Sequence, residues 1–340
     1  MRIAIVNDLL MATEALRRVV SSRPDHTIAW TAKDGAEAVA KCARDRPDLI
    51  LMDMIMPVMN GVESTRLIMR DTPCAILVVT ATVDGNIGLV FDAMGHGALD
   101  AVNTPVLGAG GQVTGREELL RKIEIIGKLT GRPGRFASFP GTAPEGLPPG
   151  SGHPPMVAIG CSTGGPAALA TILAGVPERW RAAVVVAQHV DEMFAAELAT
   201  WLGRRTSRRV EVAVRGSRPV AGDIWLAGTN DHVVLTAGCT LDYTREPLDC
   251  FFRPSVDVFF KSMALNWPSR GVGILLTGMG RDGATGLLAL RQAGWHTIAQ
   301  DEQSSIVYGM PRAAAELGAA VEVLPLDDIA AAVVSAVEKL

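Results

Sequence analysis

The sequence predicts an α/β protein of two domains, an N-terminal (βα)5 unit and a C-terminal doubly wound unit with some antiparallel strands. Three observations lead there. Short apolar runs of strand length alternate with longer amphipathic stretches, the pattern of crossover βα units. The 340 residues and their 48% hydrophobic content can build two cores. Residues from Lys128 to Pro155 carry no periodicity and many breakers, among them Gly131-Arg132-Pro133-Gly134 and Pro148-Pro149-Gly150, which read as a flexible Pro/Gly-rich linker. The expected boundaries are 1–127, 128–153 and 154–340.

The elements follow in order. Strand-like runs at Arg2–Val6, Thr27–Ala32, Leu49–Met52 and Ala75–Val79 alternate with amphipathic stretches at Thr13–Ser21, Ala36–Asp45, Val62–Arg70 and Ile87–Gly95. After the linker come the apolar segment Met156–Ile159, the helical pattern Ala167–Gly175, and the apolar runs Ala183–Ala187 and Val272–Leu276. Val210–Val214, Ile224–Leu226 and Val233–Leu235 are extended segments close enough in sequence to form hairpins, the source of the antiparallel expectation.

Chemistry-bearing residues cluster where these strands end. Gly160-Cys161-Ser162-Thr163-Gly164-Gly165 reads as strand, tight turn and helix, which lifts the serine hydroxyl above the sheet edge beside the N–H groups of a helix start. Such a turn alone is as readily a phosphate cradle. His189 follows the second apolar run, and Asp282 follows the third within Thr277-Gly278-Met279-Gly280-Arg281-Asp282-Gly283. Residues just past the carboxyl ends of parallel strands lie on one side of an open sheet, so these three can converge. Ser162 would attack, His189 would take and return the proton, and Asp282 would orient the imidazole and stabilise its charged form. Taken singly, a histidine after a strand is more often structural and an aspartate before glycine a turn residue; their joint placement favours a triad. Its chain order differs from the serine, acid, histidine order of α/β-hydrolases.

The first domain carries its own site. Asp8 follows the first strand, Asp53 ends the third and Thr80 ends the fourth, bringing two carboxylates and a hydroxyl to one sheet edge. Hard oxygens of this kind suit magnesium and a phosphoryl group, unless the acids merely cap helices or turns. A net charge of −4, with no Lys/Arg run interleaved with aromatics, disfavours nucleic acid. The first residues lack a signal peptide and no apolar run reaches membrane-span length, so a cytoplasmic protein without membrane insertion is expected. Five cysteines, without close-paired metal spacing, indicate neither a disulfide framework nor a zinc site.

Residues 1 to about 125 resemble a two-component receiver domain, through Asp53-Met54-Ile55-Met56-Pro57-Val58-Met59-Asn60-Gly61. Residues 154–340 resemble the catalytic domain of chemotaxis protein-glutamate methylesterases. The matching segments are Gly160 to Pro166, Gln188-His189, Arg253-Pro254-Ser255-Val256-Asp257-Val258-Phe259, Leu276 to Ala284, Ala299 to Glu302, Ser304-Ser305 and Gly309-Met310-Pro311. The resemblance implies a receiver followed by a Rossmann-like catalytic domain that hydrolyses glutamyl γ-methyl esters on chemoreceptors, releases methanol and also deamidates receptor glutamines. By position it implies Ser162 as nucleophile, His189 as base and Asp282 as orienting acid, with Thr163 and the Met279 N–H as oxyanion or substrate candidates. In the receiver it implies phosphorylation at Asp53, a magnesium set of Asp8, Asp53 and Ile55, and Thr80 as switch residue. Magnesium serves receiver phosphorylation, and catalysis needs no cofactor. The implied partners are a methyl-accepting chemoreceptor and a chemotaxis-type histidine kinase as phosphodonor, with the enzyme a monomer. The Wsp-type methylesterases, which serve a pathway controlling cyclic-di-GMP synthesis and biofilm, are a similar subgroup.

The receiver departs from the family pattern at Asn7, where a second acid is usual, at Thr104, where a lysine precedes the proline, and at Ala101, where an aromatic or histidine often sits. These departures predict weaker magnesium binding and weaker switching. Two other function classes remain as alternatives: a small-molecule esterase, which would turn over free methyl esters, and a non-enzymatic phosphorylation-responsive binding module.

Overall fold

The computed structural model describes residues 1–80, 83–108, 112–131, 153–206, 208–250 and 252–340. The chain divides into two compact units, Met1–Gly134 and Arg135–Leu340.

In the first unit, strands β1 (Arg2–Val6), β2 (Thr27–Ala32), β3 (Leu49–Met52), β4 (Ala75–Thr80) and β5 (Asp100–Asn103) alternate with helices α1 (Leu10–Ser21), α2 (Gly35–Arg44), α3 (Gly61–Asp71), α4 (Val83–Gly95) and α5 (Arg116–Gly131). A short antiparallel pair, β6 (Val106–Leu107) and β7 (Val113–Thr114), precedes α5. The five strands are parallel in the order β2-β1-β3-β4-β5. All four residues of β3 are buried, as expected of a central parallel strand covered on both faces. Helix α1 buries Ala15, Leu16, Val19 and Val20, one stripe at helical spacing. The side chains of Asp34 and Asn60 accept the Glu37 and Glu63 N–H groups and start α2 and α3. The strand order reverses between β1 and β3, opening a crevice at their carboxyl ends that holds Asp8 and Asp53. Helix α5 runs to Gly131, into the stretch read as linker; most of that stretch, residues 132–152, lies outside the described residues.

The second unit contains strands β8 (Met156–Cys161), β9 (Ala183–Gln188), β10 (Val210–Val212), β11 (Ile224–Leu226), β12 (His232–Leu235), β13 (Leu241–Thr244), β14 (Gly271–Leu275), β15 (His296–Gln300) and β16 (Glu322–Leu324). Its helices are α6 (Gly165–Gly175), α7 (Ala195–Gly203), α8 (Val256–Asn266), α9 (Ala284–Gln292), α10 (Met310–Glu316) and α11 (Leu326–Glu338). Seven strands form one parallel sheet in the order β10-β11-β9-β8-β14-β15-β16. The chain leaves β8 toward β9 on one side and returns to β14 on the other, which makes the carboxyl end of β8 the switch point of the sheet.

The hairpins expected around Val210 and Ile224 do not form: β10 and β11 join the large sheet in parallel. The loop between them is held by the β12–β13 hairpin, the antiparallel pair described in this unit. The Tyr243 hydroxyl donates to the Ala213 carbonyl at 2.8 Å and accepts the Gly228 N–H at 2.9 Å, and the Gly216 N–H donates to Leu241 O. Two of these bonds satisfy loop backbone groups, Ala213 O and the Gly216 N–H, and the third ties Gly228, just past β11, to the same tyrosine. Phe259 and Phe260 of α8 are fully buried against the sheet.

Candidate active site

Parallel pairing of β8 and β9 ends at Cys161 opposite Gln188. Ser162 and His189 are therefore the first residues beyond adjacent strand ends, about 4.8 Å apart in sheet spacing. Two hydrogen bonds fix this register: the His189 N–H donates to Cys161 O at 3.0 Å and Gln188 Nε2 to Ser162 O at 2.9 Å. On its other side Ser162 donates its N–H to Thr277 O at 3.0 Å, just beyond β14. Gly164, at φ 79°, turns the chain into α6 with Pro166 in the first turn, so Ser162 stands beside the positive end of that helix. Gly278 lies so close that a Cβ there would be 2.8 Å from Ser162 Cβ and 2.3 Å from Met310 Sδ.

His189 Nε2 pairs with Asp282 Oδ2 at 2.8 Å, and both side chains are nearly buried. The second ring nitrogen, Nδ1, is buried without a hydrogen-bond partner among the described residues. The Phe252 ring stacks on the imidazole at 4.4 Å with an interplanar angle of 8°. Asp282 also sits on the N-terminus of α8. It accepts the Val256 N–H at 2.7 Å, the Asp257 N–H at 3.1 Å and the Ser255 hydroxyl at 2.8 Å. Burial pushes its carboxyl up, but the His189 bond and charge, with the Val256 N–H and Ser255 hydroxyl, outweigh burial and hold it below the usual carboxylate range. Neighbouring Asp257 is pushed up, by burial and by the charge of Asp282, against the Gly286 N–H that it accepts at 2.6 Å.

The structure thus brings Ser162, His189 and Asp282 to one sheet edge. Thr163 is buried in the same turn, its carbonyl accepting the Thr277 hydroxyl at 2.9 Å. Met279 lies half-buried one residue beyond Gly278. Neither the Thr163 nor the Met279 N–H is engaged in a hydrogen bond among the described residues.

Three contributors carry no role in the sequence reading. Ser255 caps α8 and braces Asp282; its place before an apolar run is an N-cap signal. His232, fully buried, accepts the Ser255 N–H on Nδ1 at 3.0 Å and faces Pro247 O with Nε2; burial pushes its imidazolium form down in pH, so it stays neutral and holds Ser255 in place. No local pattern marks this histidine, nor the stacking of Phe252.

In the first unit, Asn7 and Asp53 are buried and joined by an Asn7 Nδ2 to Asp53 Oδ2 bond of 3.0 Å, while Asn7 Oδ1 accepts the Leu9 N–H at 2.9 Å. Asp8 is exposed at the end of β1, Thr80 is buried at the end of β4, and Ile55 is exposed two residues past Asp53. Burial first, and the Asp8 charge last, push the Asp53 carboxyl up to about 6 against the Met54 and Ile55 N–H groups. That cost is one a divalent cation between the two carboxylates would relieve, so these hard oxygens fit magnesium. The Thr104 hydroxyl is buried without a partner among the described residues, and Ala101 is buried in β5. No group of three His, Cys, Asp or Glu side chains suited to a metal occurs among the described residues, where Asn7 replaces an acid. No described helix is long and apolar enough to cross a membrane.

Comparison with known proteins follows this division. Residues 157–333 match the family model described as CheB methylesterase, and residues 3–108 that of the response regulator receiver domain. A protein-glutamate methylesterase/protein-glutamine glutaminase of Pseudomonas fluorescens is 54% identical over 330 residues, covering 97% of each chain. One from Pseudomonas aeruginosa is 52% identical over 330 residues, covering 97% of this chain and 98% of its own. The crystal structure of the Thermotoga maritima CheB methylesterase catalytic domain superposes with a TM-score of 0.50 at 31% identity, over 54% of this chain and 98% of that one.

Proposed function

Since this chain belongs to the CheB methylesterase family, with a response regulator receiver domain ahead of the catalytic one, we propose that Ser162, His189 and Asp282 are its nucleophile, base and orienting acid. The protein is a phosphorylation-regulated protein-glutamate methylesterase and protein-glutamine glutaminase that serves adaptation in a chemosensory pathway. It hydrolyses glutamyl γ-methyl esters on chemoreceptors to release methanol, and deamidates glutamines. The receiver is residues 1–127, extended to Gly131 by the end of α5, followed by the linker to residue 153 and the catalytic domain 154–340, a division supported by the two matched regions at 3–108 and 157–333.

The observation that carries the triad is the pairing of His189. With Nε2–H donated to Asp282, the lone pair is left on Nδ1, the buried and unpartnered nitrogen. Nδ1 takes the Ser162 proton as Oγ bonds to the ester carbonyl carbon, and the Thr163 and Met279 N–H groups stabilise the oxyanion. Collapse breaks the carbon–methoxy bond, and Nδ1–H gives its proton to the departing methoxide, which leaves as methanol. Water then gives its proton to Nδ1 and attacks the acyl-serine, and Ser162 leaves with that proton. A glutamine substrate differs in releasing ammonia. Asp282, held ionised by α8, stabilises the imidazolium of each step.

In the receiver, Asp53 accepts the phosphoryl group from a chemotaxis-type histidine kinase, and Thr80 is the switch residue. Magnesium, held by Asp8, Asp53 and the Ile55 carbonyl, would neutralise charge on the phosphoryl oxygens. Asn7 orients Asp53 through its amide while contributing no charge. The substrate is a methyl-accepting chemoreceptor, and the reaction takes place in the cytoplasm.

Methanol release from a methylated receptor fragment, with and without acetyl phosphate, tests this reading. Wild type should accelerate with the phosphodonor and Asp53→Asn should not. Equal turnover of receptor and free methyl esters, indifferent to phosphodonor, would instead favour a small-molecule esterase.

A further inference from the structure

We propose that Cys42 and Cys74 form an oxidisable dithiol in the receiver unit, closed to a disulfide by a hydroperoxide. Cys42 lies on the buried face of α2 and Cys74 immediately before β4. Their sulfurs are 3.9 Å apart, and both side chains are buried. Reaching the 2.05 Å of a disulfide needs a closure of about 1.9 Å, shared between two side-chain rotations. Thr72, whose N–H is anchored to Ile68 O at the end of α3, directs its hydroxyl to Cys42 Sγ at 3.5 Å. The contact with Cys74, then the Thr72 hydroxyl and the Arg46 charge, pull the Cys42 thiol down against burial, which pushes it up. The same contact and burial push the Cys74 thiol up, so Cys42 is the more readily ionised of two sulfurs already in contact.

The reaction balances with one co-reactant. The Cys42 thiolate attacks the terminal hydroperoxide oxygen and breaks the O–O bond; a sulfenic acid remains on Cys42, and the alkoxide takes up a proton, equivalent to the one Cys42 gave up on ionising, and leaves as the alcohol. The Cys74 sulfur, losing its proton, attacks Cys42 sulfur and breaks the S–O bond with release of water. Two thiols are oxidised by two electrons, and the hydroperoxide is reduced to alcohol and water. Among the described residues no other two cysteine sulfurs lie in contact, so no other pair is placed to close a bridge. Cys74 sits at the opposite end of β4 from Thr80, so the bridge would tie α2 to the sheet away from the phosphoryl site.

The test is oxidation of the full chain with hydrogen peroxide, acid quenching, and alkylation with N-ethylmaleimide in denaturant. The count of alkylated thiols should fall by two from five, intact mass should show loss of two hydrogens, and digestion should yield a linked peptide joining Cys42 and Cys74. Cys42→Ser and Cys74→Ser should each keep all their remaining thiols. The bridge should also raise the thermal midpoint of the receiver transition relative to reduced protein, a readout that needs no variant. Five alkylated thiols after peroxide, or a linkage through any other pair, would overturn the proposal.

Discussion

His189 Nε2 lies 2.8 Å from Asp282 Oδ2, while its Nδ1 is buried without a partner among the described residues. The imidazole thus faces its acid with the nitrogen opposite to the chymotrypsin arrangement, where Nδ1 faces the acid. What fixes the tautomer is a charged acceptor on Nε2. Asp282→Asn offers no charge and can present an NH2 group to the ring, so kcat should fall by about 10⁴ with little change in secondary structure. Methanol-release kinetics on folded variant check this; a loss below about tenfold would mean that Asp282 does not orient the base.

Ser255 links stability to chemistry. Its hydroxyl donates to Asp282 at 2.8 Å and accepts the Val258 N–H at 3.3 Å. Ser255→Ala should cost about 1–2 kcal/mol of stability, read in the denaturant midpoint of the catalytic unit, with a smaller loss of kcat than Asp282→Asn. An unchanged midpoint would show that the cap contributes nothing.

Gly278 is where backbone crowding sets the position of Ser162. A methyl group there meets Ser162 Cβ at 2.8 Å, a contact that side-chain rotation cannot relieve. Gly278→Ala should lower kcat about 10²-fold by displacing Ser162, since displacements on the order of 1 Å carry penalties of that size. Wild-type kinetics in this variant would mean that the loop yields instead.

Much of this was legible in the sequence for a physical reason: in parallel sheets the chemistry sits just past strand ends, and apolar runs mark where strands end. Ser162, His189, Asp282, Asp53 and Thr80 were all locatable that way. The direction of β10 and β11 was not, because three-residue strands carry no mark of parallel pairing, and the Tyr243 bonds on either side of them come from a separate hairpin. His232 and Phe252 were equally hidden, since their partners lie far away in the chain. Asn7 was visible as a departure. Its bond to Asp53, and the raised carboxyl of Asp53, depend on burial that only the fold supplies.

That raised carboxyl has a measurable consequence. With its value pushed up to about 6, Asp53 in the metal-free chain is roughly half protonated at pH 6 and ionised at pH 8. Magnesium favours the ionised form, so its addition at pH 6 should release about half a proton per chain, falling toward none at pH 8. Calorimetry in buffers of different ionisation enthalpy reads this directly. Asp53→Asn should release none, and a wild type that also released none at pH 6 would show that Asp53 is already ionised there.

Ser162, and not the adjacent thiol of Cys161, is expected to form the acyl intermediate. Methanol release from methylated receptor by Ser162→Ala and Cys161→Ala decides it. The buried Cys161, its thiol pushed up by burial, should be dispensable, so Cys161→Ala should match wild type while Ser162→Ala loses on the order of 10⁴-fold or more. A Ser162→Ala protein within about tenfold of wild type, or an inactive Cys161→Ala beside an active Ser162→Ala, would contradict it.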